Sequence, residues 1–419
     1  MLASINVVDN IDRAAFVTLA PDIRRSFGLS QAAMTGIAGI SSILVVLAAL
    51  PIAVLADRGS RLRIAGLAAA FWSVLTLLTG LAATAVQLTA ARIVSGLGQA
   101  AIEPVHGSLL TDYYAPEQRG RAFSLHQFGL PLAGILGPAV AGAIGAVAGW
   151  RWAFLAVAPV GLVFALMVRG LREPARGSAG AAVTTAQVPA VRVPWREGMR
   201  TLLAIPSLRN IYLAIGMLGF GLVGAPVIIS DHLQSALGLD SLARGAVLAF
   251  GGLGMLVGLV LGGTAADRLY RRDPSLSLYV AGAGLAAFTV LGAVALHVPW
   301  TWLVLVLLTA SQLGSGLVVA PIRQVVAGVS PAHLSALAFA MLGIFILLFG
   351  GFLGGVLLGA LADAYGAPLA LTALTLPGTA AALLVARAAH HTTQDLTPNP
   401  PRPQPPTPPT PHAPNPPRP

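Results

Sequence analysis

The chain has no cysteine and no lysine among its 419 residues, so all 25 basic side chains other than histidine are arginines. Without cysteine there are no disulfides, no thiolate metal sites and no cysteine nucleophile. Charge is scarce as well: Asp, Glu, Lys and Arg make up 10% of the residues, against about 25% in a soluble domain. No GxSxG nucleophile elbow, HExxH metal motif or Walker-type phosphate loop occurs, so neither enzyme chemistry nor a bound metal is expected. A cleavable signal peptide is not expected either, since the first apolar stretch lacks a basic start and is interrupted by Asp9, Asp12 and Arg13.

What the chain has in abundance is apolar sequence, 56% hydrophobic residues with a mean hydropathy of +0.80. It divides into about twelve spans of roughly 20 residues with short connections, which predicts an all-α polytopic membrane protein. We place spans 1 to 3 at about 1–20, 31–56 and 64–84, span 4 around the stretch 91–107, and spans 5 and 6 at about 122–148 and 149–169. Spans 7 to 12 are expected at about 210–230, 242–265, 276–296, 300–328, 334–361 and 368–388. The organisation that follows is an N-terminal six-helix bundle (1–169), a central linker (170–209), a C-terminal six-helix bundle (210–388) and a Pro-rich tail (389–419). The tail cannot bury a core and is expected to be extended and disordered.

The net charge of +10 would suit a nucleic-acid partner, but the arginines sit between spans, where membrane topology explains them. Eighteen lie on the side of the loops after spans 2, 4, 6 and 8 and the tail. Four (Arg24, Arg25, Arg151 and Arg244) lie on the other side, and three (Arg13, Arg92 and Arg323) lie within spans. Both termini are therefore expected in the cytoplasm, in a cell inner (plasma) membrane protein whose partners are the lipid bilayer and a small molecule, with no nucleic acid.

Span 4 carries the most informative stretch, ARIVSGLGQAAIEPVHG from Ala91 to Gly107. At 100° per residue Arg92, Gln99, Glu103 and His106 share one helix face. A charge facing hydrocarbon costs about 2.5 to 3.5 kcal/mol, so this stripe must face other helices or a water-filled cavity. Span 1 adds Asp12 and Arg13, which point about 100° apart and each need a partner. They read either as a structural ion pair that fixes packing or as part of a coupling or substrate site. In span 10, Gln312 lies near mid-membrane and Arg323 nearer the cytoplasmic end, where it either meets substrate or snorkels to the interface. His126 either titrates near neutrality or is a satisfied core histidine. Asp231, His232 and His297 read as solvated helix-end caps, and Trp72 as a packing or lipid-facing aromatic. Trp150 and Trp152 read as interfacial anchors.

Two further patterns concern movement. Gly129, Gly134, Gly137 and Gly142 in span 5 allow close backbone approach, and Pro131 and Pro138 bend the helix. ADRGSR from Ala56 is echoed by ADRLYR from Ala266, a shift of 210, and GPAVAGAIGAVAGW from Gly137 by GGVLLGALADAYGA from Gly354, a shift of 217. Two similar offsets argue for a duplicated six-helix unit. Asp57, Arg58 and Arg61, repeated as Asp267, Arg268 and Arg271, read as exposed ion pairs that latch the cytoplasmic end, each worth about 0 to 1 kcal/mol and so reversible. Plain positive-inside anchoring explains these arginines but not the repeated aspartate.

The repeated Asp-Arg loops resemble the loop signature of the major facilitator superfamily, RIVSGLGQ its helix-4 motif and GLPLAGILGPAVAG its helix-5 motif. Within it, INVVDNIDR, PIAVLADRGSRLR, APEQRGRAFS, GWRWAF, LREPARG and ADRLYRRDP look like bacterial members of the Spinster-like family, a resemblance running from Ile5 to Gly366. It implies the twelve-helix major facilitator fold of two pseudo-symmetric bundles, and a monomeric secondary transporter driven by the proton gradient without a cofactor. The implied cargo is an amphiphilic or anionic small molecule, lysolipid-like, moved outward. By the same resemblance Asp12 and Arg13 match the family's Asp-Arg pair and Arg92 its helix-4 arginine, while Gln99 stands where the family has glutamate. Glutamine exchanges no proton, so Glu103 or Asp12 alone must carry coupling, or coupling is weakened. We expect Asp12 and Glu103 in proton coupling and Arg13, Arg92, Gln99, Gln312 and Arg323 at the substrate. The alternatives are a proton-driven multidrug exporter, an organic-anion symporter, and a membrane sensor or scaffold on the same fold.

Overall fold

A computed structural model describes residues 1–114, 116–168, 170–174, 195–331, 334–351 and 353–396. The twelve spans are all helical. Span 1 is Leu2–Thr18 continued by Ala20–Phe27, span 2 is Gln31–Arg58 and span 3 is Arg61–Leu81. Span 4 joins Ala85–Gln99 to a π-helical turn at Ile102–His106 and Gly107–Tyr113, span 5 joins Pro116–Gln127 to Gly129–Ala148, and span 6 is Trp150–Val168. After a connecting helix at Trp195–Ala204, span 7 is Pro206–Leu222 with Gly224–Ser235, span 8 Ser241–Tyr270, span 9 Pro274–Ala295 and span 10 Thr301–Val329. Span 11 is Ser335–Phe345, a second π-helical turn at Ile346–Gly351 and Leu353–Tyr365, and span 12 is Ala367–Ala373 with Thr375–Leu396. Nine stretches among the described residues are long and apolar enough to cross a bilayer. Spans 1 and 4 fall short because of their polar side chains, and span 11 because the π turn divides it.

Local chemistry sets where the helices start. Ser30, Ser60 and Asp240 each accept a hydrogen bond from the backbone N–H three residues on, and Thr84 forms a capping box with Gln87. These side chains satisfy donors that the first helical turn leaves free. Gly28 and Gly238, 210 residues apart, close the turns before spans 2 and 8 at φ +64° and +66°. Gly149 and Gly366, 217 apart, take φ +87° and +88° at the turns into spans 6 and 12. The two offsets of the sequence repeat thus reappear as matched backbone turns that only glycine adopts without cost.

Several boundaries differ from expectation. Residues 21–27 are helical because Pro21 sits in a first turn, where its missing N–H is no loss. The predicted turn after span 4 is largely the helix Pro116–Gln127. Part of the predicted linker is the helix Trp195–Ala204, which buries Gly198 and Leu202, and span 7 starts at Pro206. Span 12 continues to Leu396 with Ala388, Ala389 and Thr392 buried, so the first residues assigned to the tail belong to the bundle. The remainder of the tail, 397–419, and most of the linker, 175–194, lie outside the described residues.

The end of the bundle that carries Arg58, Arg61 and Arg63 is the arginine-rich end, and the opposite end holds Gly28 and Gly149. The two halves meet where span 5 crosses span 8 and span 2 crosses span 11. A Cβ at Gly142 would overlap the Ser241 carbonyl oxygen, one at Gly245 that of Pro138 and one at Gly252 that of Gly134. Gly129 and Gly137 face span 1 instead, where a Cβ would come within 3.1 Å of Asn6 and 2.6 Å of Ala14 respectively. The glycines of span 5 therefore divide between two neighbours, and that helix is wedged between span 1 and the other half. Pro131 and Pro138 are both buried in this stretch.

Candidate functional site

The site grows from span 1. Asp12 is fully buried, and both its carboxylate oxygens accept from Arg92 Nη1, at 3.0 and 2.8 Å. Trp72 Nε1 donates to the same carboxylate at 3.4 Å. Arg92, 6% exposed, lies under the Phe16 ring at 4.7 Å and the Phe154 ring at 5.5 Å. Aromatic faces and a carboxylate together replace the water an arginine would otherwise hold. Trp72, read from the sequence as packing or lipid-facing, is a hydrogen-bond partner of the central ion pair.

Arg13 pairs one turn back with Asp9, Nε to Oδ2 at 3.2 Å, its side chain 41% exposed and that of Asp9 3%. Spacing of i to i+4 brings them onto one face, with Asp12 on the adjoining one. Asn6 and Asn10 extend the polar face, Asn10 Nδ2 donating to Asn6 Oδ1 at 3.0 Å and Asn6 Nδ2 to the His126 carbonyl at 2.8 Å. Asp9 was visible as a charge interrupting span 1; its pairing with Arg13 was readable from the four-residue interval.

Span 4 departs from the uniform stripe. Arg92, Gln99 and His106 are buried while Glu103 is exposed. The cause is the π turn at Ile102–His106, which contains Pro104: a helix that lacks one N–H widens locally and changes the angle between successive side chains. Gln99 and His106 line a small cavity with Ile5 and Trp72. His106 Nδ1 faces His126 Nε2 at 3.1 Å, both rings buried, so two histidines from different spans meet below the ion cluster. In the C-terminal half, Gln312 is half-buried against span 8, 3.4 Å from where a Cβ on Gly251 would lie, and Arg323 is exposed.

The repeated loop residues do not link the halves among the described residues. Arg61 is buried and binds Asp112, Glu173 at 3.4 Å and the Ser108 hydroxyl at 2.9 Å, all within the N-terminal half. Glu173 also accepts from the Ser60 hydroxyl and from the Arg61 N–H at 2.7 Å. Burial pushes its carboxyl up, but these hydrogen bonds and the Arg61 guanidinium outweigh that and hold it below the usual carboxylate range. Arg58, Asp267, Arg268 and Arg271 are exposed with no ion pair among the described residues, and the side chain of Asp57 lies outside them.

Ion pairs between the halves do exist, at the opposite end. Arg24 of span 1 grips Asp231 of span 7, Nη2 to Oδ1 at 2.7 Å. Asp22 binds Arg244 of span 8, whose side chain has no exposed surface, and also Arg25 at 2.9 Å. Asp363 of span 11 accepts from the backbone N–H groups of Gln31 and Ala32 at 2.8 and 2.9 Å, capping span 2 from across the interface. The Ser230 hydroxyl donates to the Thr18 carbonyl at 2.9 Å. Asp231 is therefore buried in an ion pair between the halves rather than a solvated cap, and no local pattern in the sequence pairs it with Arg24, 207 positions away.

The sequence matches the Major Facilitator Superfamily over residues 2–354 and 225–419. The chain belongs to this superfamily. Its relatives include an MFS-type efflux pump of Mycolicibacterium smegmatis, 28% identical over 67% of this chain and 64% of the pump. A probable L-galactonate transporter of Escherichia coli is 28% identical over 62% of this chain and 61% of that protein. Human protein spinster homolog 1 is 27% identical over 68% of this chain and 57% of its own length. The matched region thus spans about three fifths of these curated relatives. Among solved structures, a bacterial homolog to the human lysosomal transporter Spinster, inward-facing and unoccupied, superposes with a TM-score of 0.85. It is 21% identical, over 94% of this chain and 96% of that one. The inward-facing, occupied form gives a TM-score of 0.75 at 20% identity, over 94% and 95%. The superfamily fold and the Spinster-like resemblance read from the motifs are both met by these matches.

Within this superfamily member the described ion pairs between halves all close one end, and its central ion cluster belongs wholly to the N-terminal half. The two features sit at different levels of the same span: Asp9, Asp12 and Arg13 midway along Leu2–Thr18, and Asp22 and Arg24 on Ala20–Phe27.

Proposed function

We propose that this chain is a secondary transporter that works by alternating access, with proton-coupled export of an amphiphilic or anionic small molecule, lysolipid-like. The observation that carries the reading is the asymmetry of the closures. Cross-half salt bridges lock the end opposite the arginine-rich face, and by the distribution of arginine that face is cytoplasmic. The site is then open to the cytoplasm and shut to the outside. Glycine-lined contacts between spans 5 and 8 supply a surface on which the halves rock.

The coupling follows from the ion cluster. A buried carboxylate beside arginine is pulled one way by charge and the other by desolvation, so a small change in separation as the halves rock alters its protonation. Asp12 takes up a proton in one orientation and loses it in the other. Arg92 and Arg13 alternate between carboxylates and an anionic group on the substrate, with Gln99 and Gln312 as uncharged partners. Glu103 is a second candidate proton carrier on the exposed side of span 4, and Arg323 an anion contact towards the cytoplasm. The names of the relatives support two other readings on this fold, an efflux pump and a transporter of a sugar acid such as L-galactonate.

Proteoliposomes with an imposed pH gradient, loaded in parallel with a lysophosphatidylcholine, a cationic dye and a small carboxylate, separate these readings. Gradient-driven transport of the lysolipid alone is the expected result, and transport of none of the three under any gradient would leave a sensor or scaffold as the better reading. Asp12→Asn should abolish gradient-driven transport while leaving exchange of substrate across the membrane. Gradient-driven transport that survives it would remove Asp12 from coupling.

A further inference from the structure

We propose that Asp9 is a proton-binding carboxylate of this chain, supplying the titratable group that Gln99 does not. The inference rests on the proton-coupled reading above and deepens it. Asp12 is saturated: both oxygens are taken by Arg92 and one also by Trp72. Asp9 is equally buried, 2% exposed, yet has a single hydrogen bond, from Arg13 Nε to Oδ2 at 3.2 Å. Its other oxygen, Oδ1, is buried with no partner among the described residues. An ionised carboxylate with one bare buried oxygen is costly, and a proton on that oxygen removes the charge that makes it so.

The surroundings favour the same site. The ionisable groups that act on Asp9 are Arg13 and Asp12 on its own helix and Arg92 from span 4. Span 5 packs along span 1 with Gly129–Ala148, which holds no ionisable side chain, and below that segment His126 turns its ring to His106, with Glu103 near enough to act on it. Span 6 brings Arg151, held on the Ala82 carbonyl at the far end. Span 7 brings Asp231 and His232, and span 8 brings Arg244; Asp231 and Arg244 are engaged by the outer latches.

Two carboxylates and two guanidiniums make a neutral cluster when all are ionised. A proton arriving at Asp9 Oδ1 leaves that pair with the net charge of Arg13, and no other bond is made or broken. Arg13, whose side chain is 41% exposed, is then released to hold an anionic group. Loss of the proton recaptures Arg13 and expels the anion, so the protonation of Asp9 sets whether Arg13 can hold an anion, and the two are taken up and released together.

The test uses the full chain in lipid vesicles and a readout independent of cargo: infrared difference spectra between about pH 5 and about pH 8. Wild type should gain the C=O band of a protonated carboxyl in acid, Asp9→Asn should lose a component of that band, and Asp12→Asn should keep that component. A band undiminished in Asp9→Asn, or its absence from wild type, overturns the proposal. Asp9→Glu should restore a band at shifted frequency, which separates loss of the acid from misfolding. Uptake of lysophosphatidylcholine driven by a pH gradient, measured alongside, tests the underlying reading: wild type without such uptake sinks proton coupling whatever the spectra show. Coupled wild type with an Asp9→Asn variant equally coupled sinks the role of Asp9 alone.

Discussion

Replacing Asp22 by Asn tests whether the far-end salt bridges are what holds that end closed. Asp22 clamps Arg25 of its own helix and Arg244 of the other half. The Arg244 side chain is wholly buried, its Nη1 bound to the Leu239 carbonyl at 2.9 Å and its Nε without a partner among the described residues. Removing one member of a buried pair costs about 3 to 5 kcal/mol, because the other charge is left uncompensated. Asp22 is 23% exposed, so water recovers part of the loss, and about 2 to 3 kcal/mol is a fair figure for the closed state. In the open state Arg244 is hydrated and feels little of this. At about 1.4 kcal/mol per decade the open form should gain roughly 30- to 150-fold in relative population. Because the chain has no cysteine, labels can be placed uniquely at Val86 and Leu376, both exposed and one on each half near that end. Pulsed electron resonance should show the short distance of wild type joined or replaced by a longer one in Asp22→Asn. The double variant Asp22→Leu with Arg244→Met should return towards the short distance, since an apolar pair carries no uncompensated charge. A distance distribution unchanged by Asp22→Asn would mean that helix packing, not charge, closes the end.

Two other perturbations follow from the same contacts. Glu173 has a folded-state pKa below its ordinary value of 4.5; a depressed carboxyl stabilises above the unfolded value and loses that contribution as pH falls through the folded one. Thermal melts of wild type should therefore fall in acid below about pH 4.5 more steeply than those of Glu173→Gln, and parallel curves would refute the link. Gly245→Val places side-chain atoms into the Pro138 carbonyl at the span 5 and span 8 crossing, and should cut exchange at least tenfold while the protein still reaches the membrane, as an overpacked but apolar site does. Normal exchange in that variant would show that the crossing has room to move.

The chemistry of the candidate site was more legible than its geometry. Charges within apolar spans mark Asp12, Arg13 and Arg92 by cost alone, and four-residue spacing pairs Arg13 with Asp9. The pairing of Asp12 with Arg92, 80 positions apart, has no local signature. Glu103 was read onto the Arg92 face by uniform helical geometry; the π turn at Ile102–His106 interrupts that geometry, and Glu103 is exposed where Arg92, Gln99 and His106 are buried. The Asp-Arg loops were read as exposed ion pairs that close the cytoplasmic end reversibly; among the described residues Arg61 is buried and ties spans 3 and 4 to the segment after span 6. The latches that do span the halves use Asp22, Arg24, Asp231 and Arg244, which look in sequence like ordinary helix-end charges.

By itself the sequence determined that this chain lies in a bilayer, that it repeats a six-helix unit and that charged groups enter spans 1 and 4. Hydropathy, offset and desolvation cost are sums over residues and need no coordinates. Only the tertiary structure decided which charges meet and which end is shut. Those outcomes depend on distances of a few ångströms between residues up to 332 positions apart, and Coulomb and hydrogen-bond energies at that range are set by packing rather than by order along the chain.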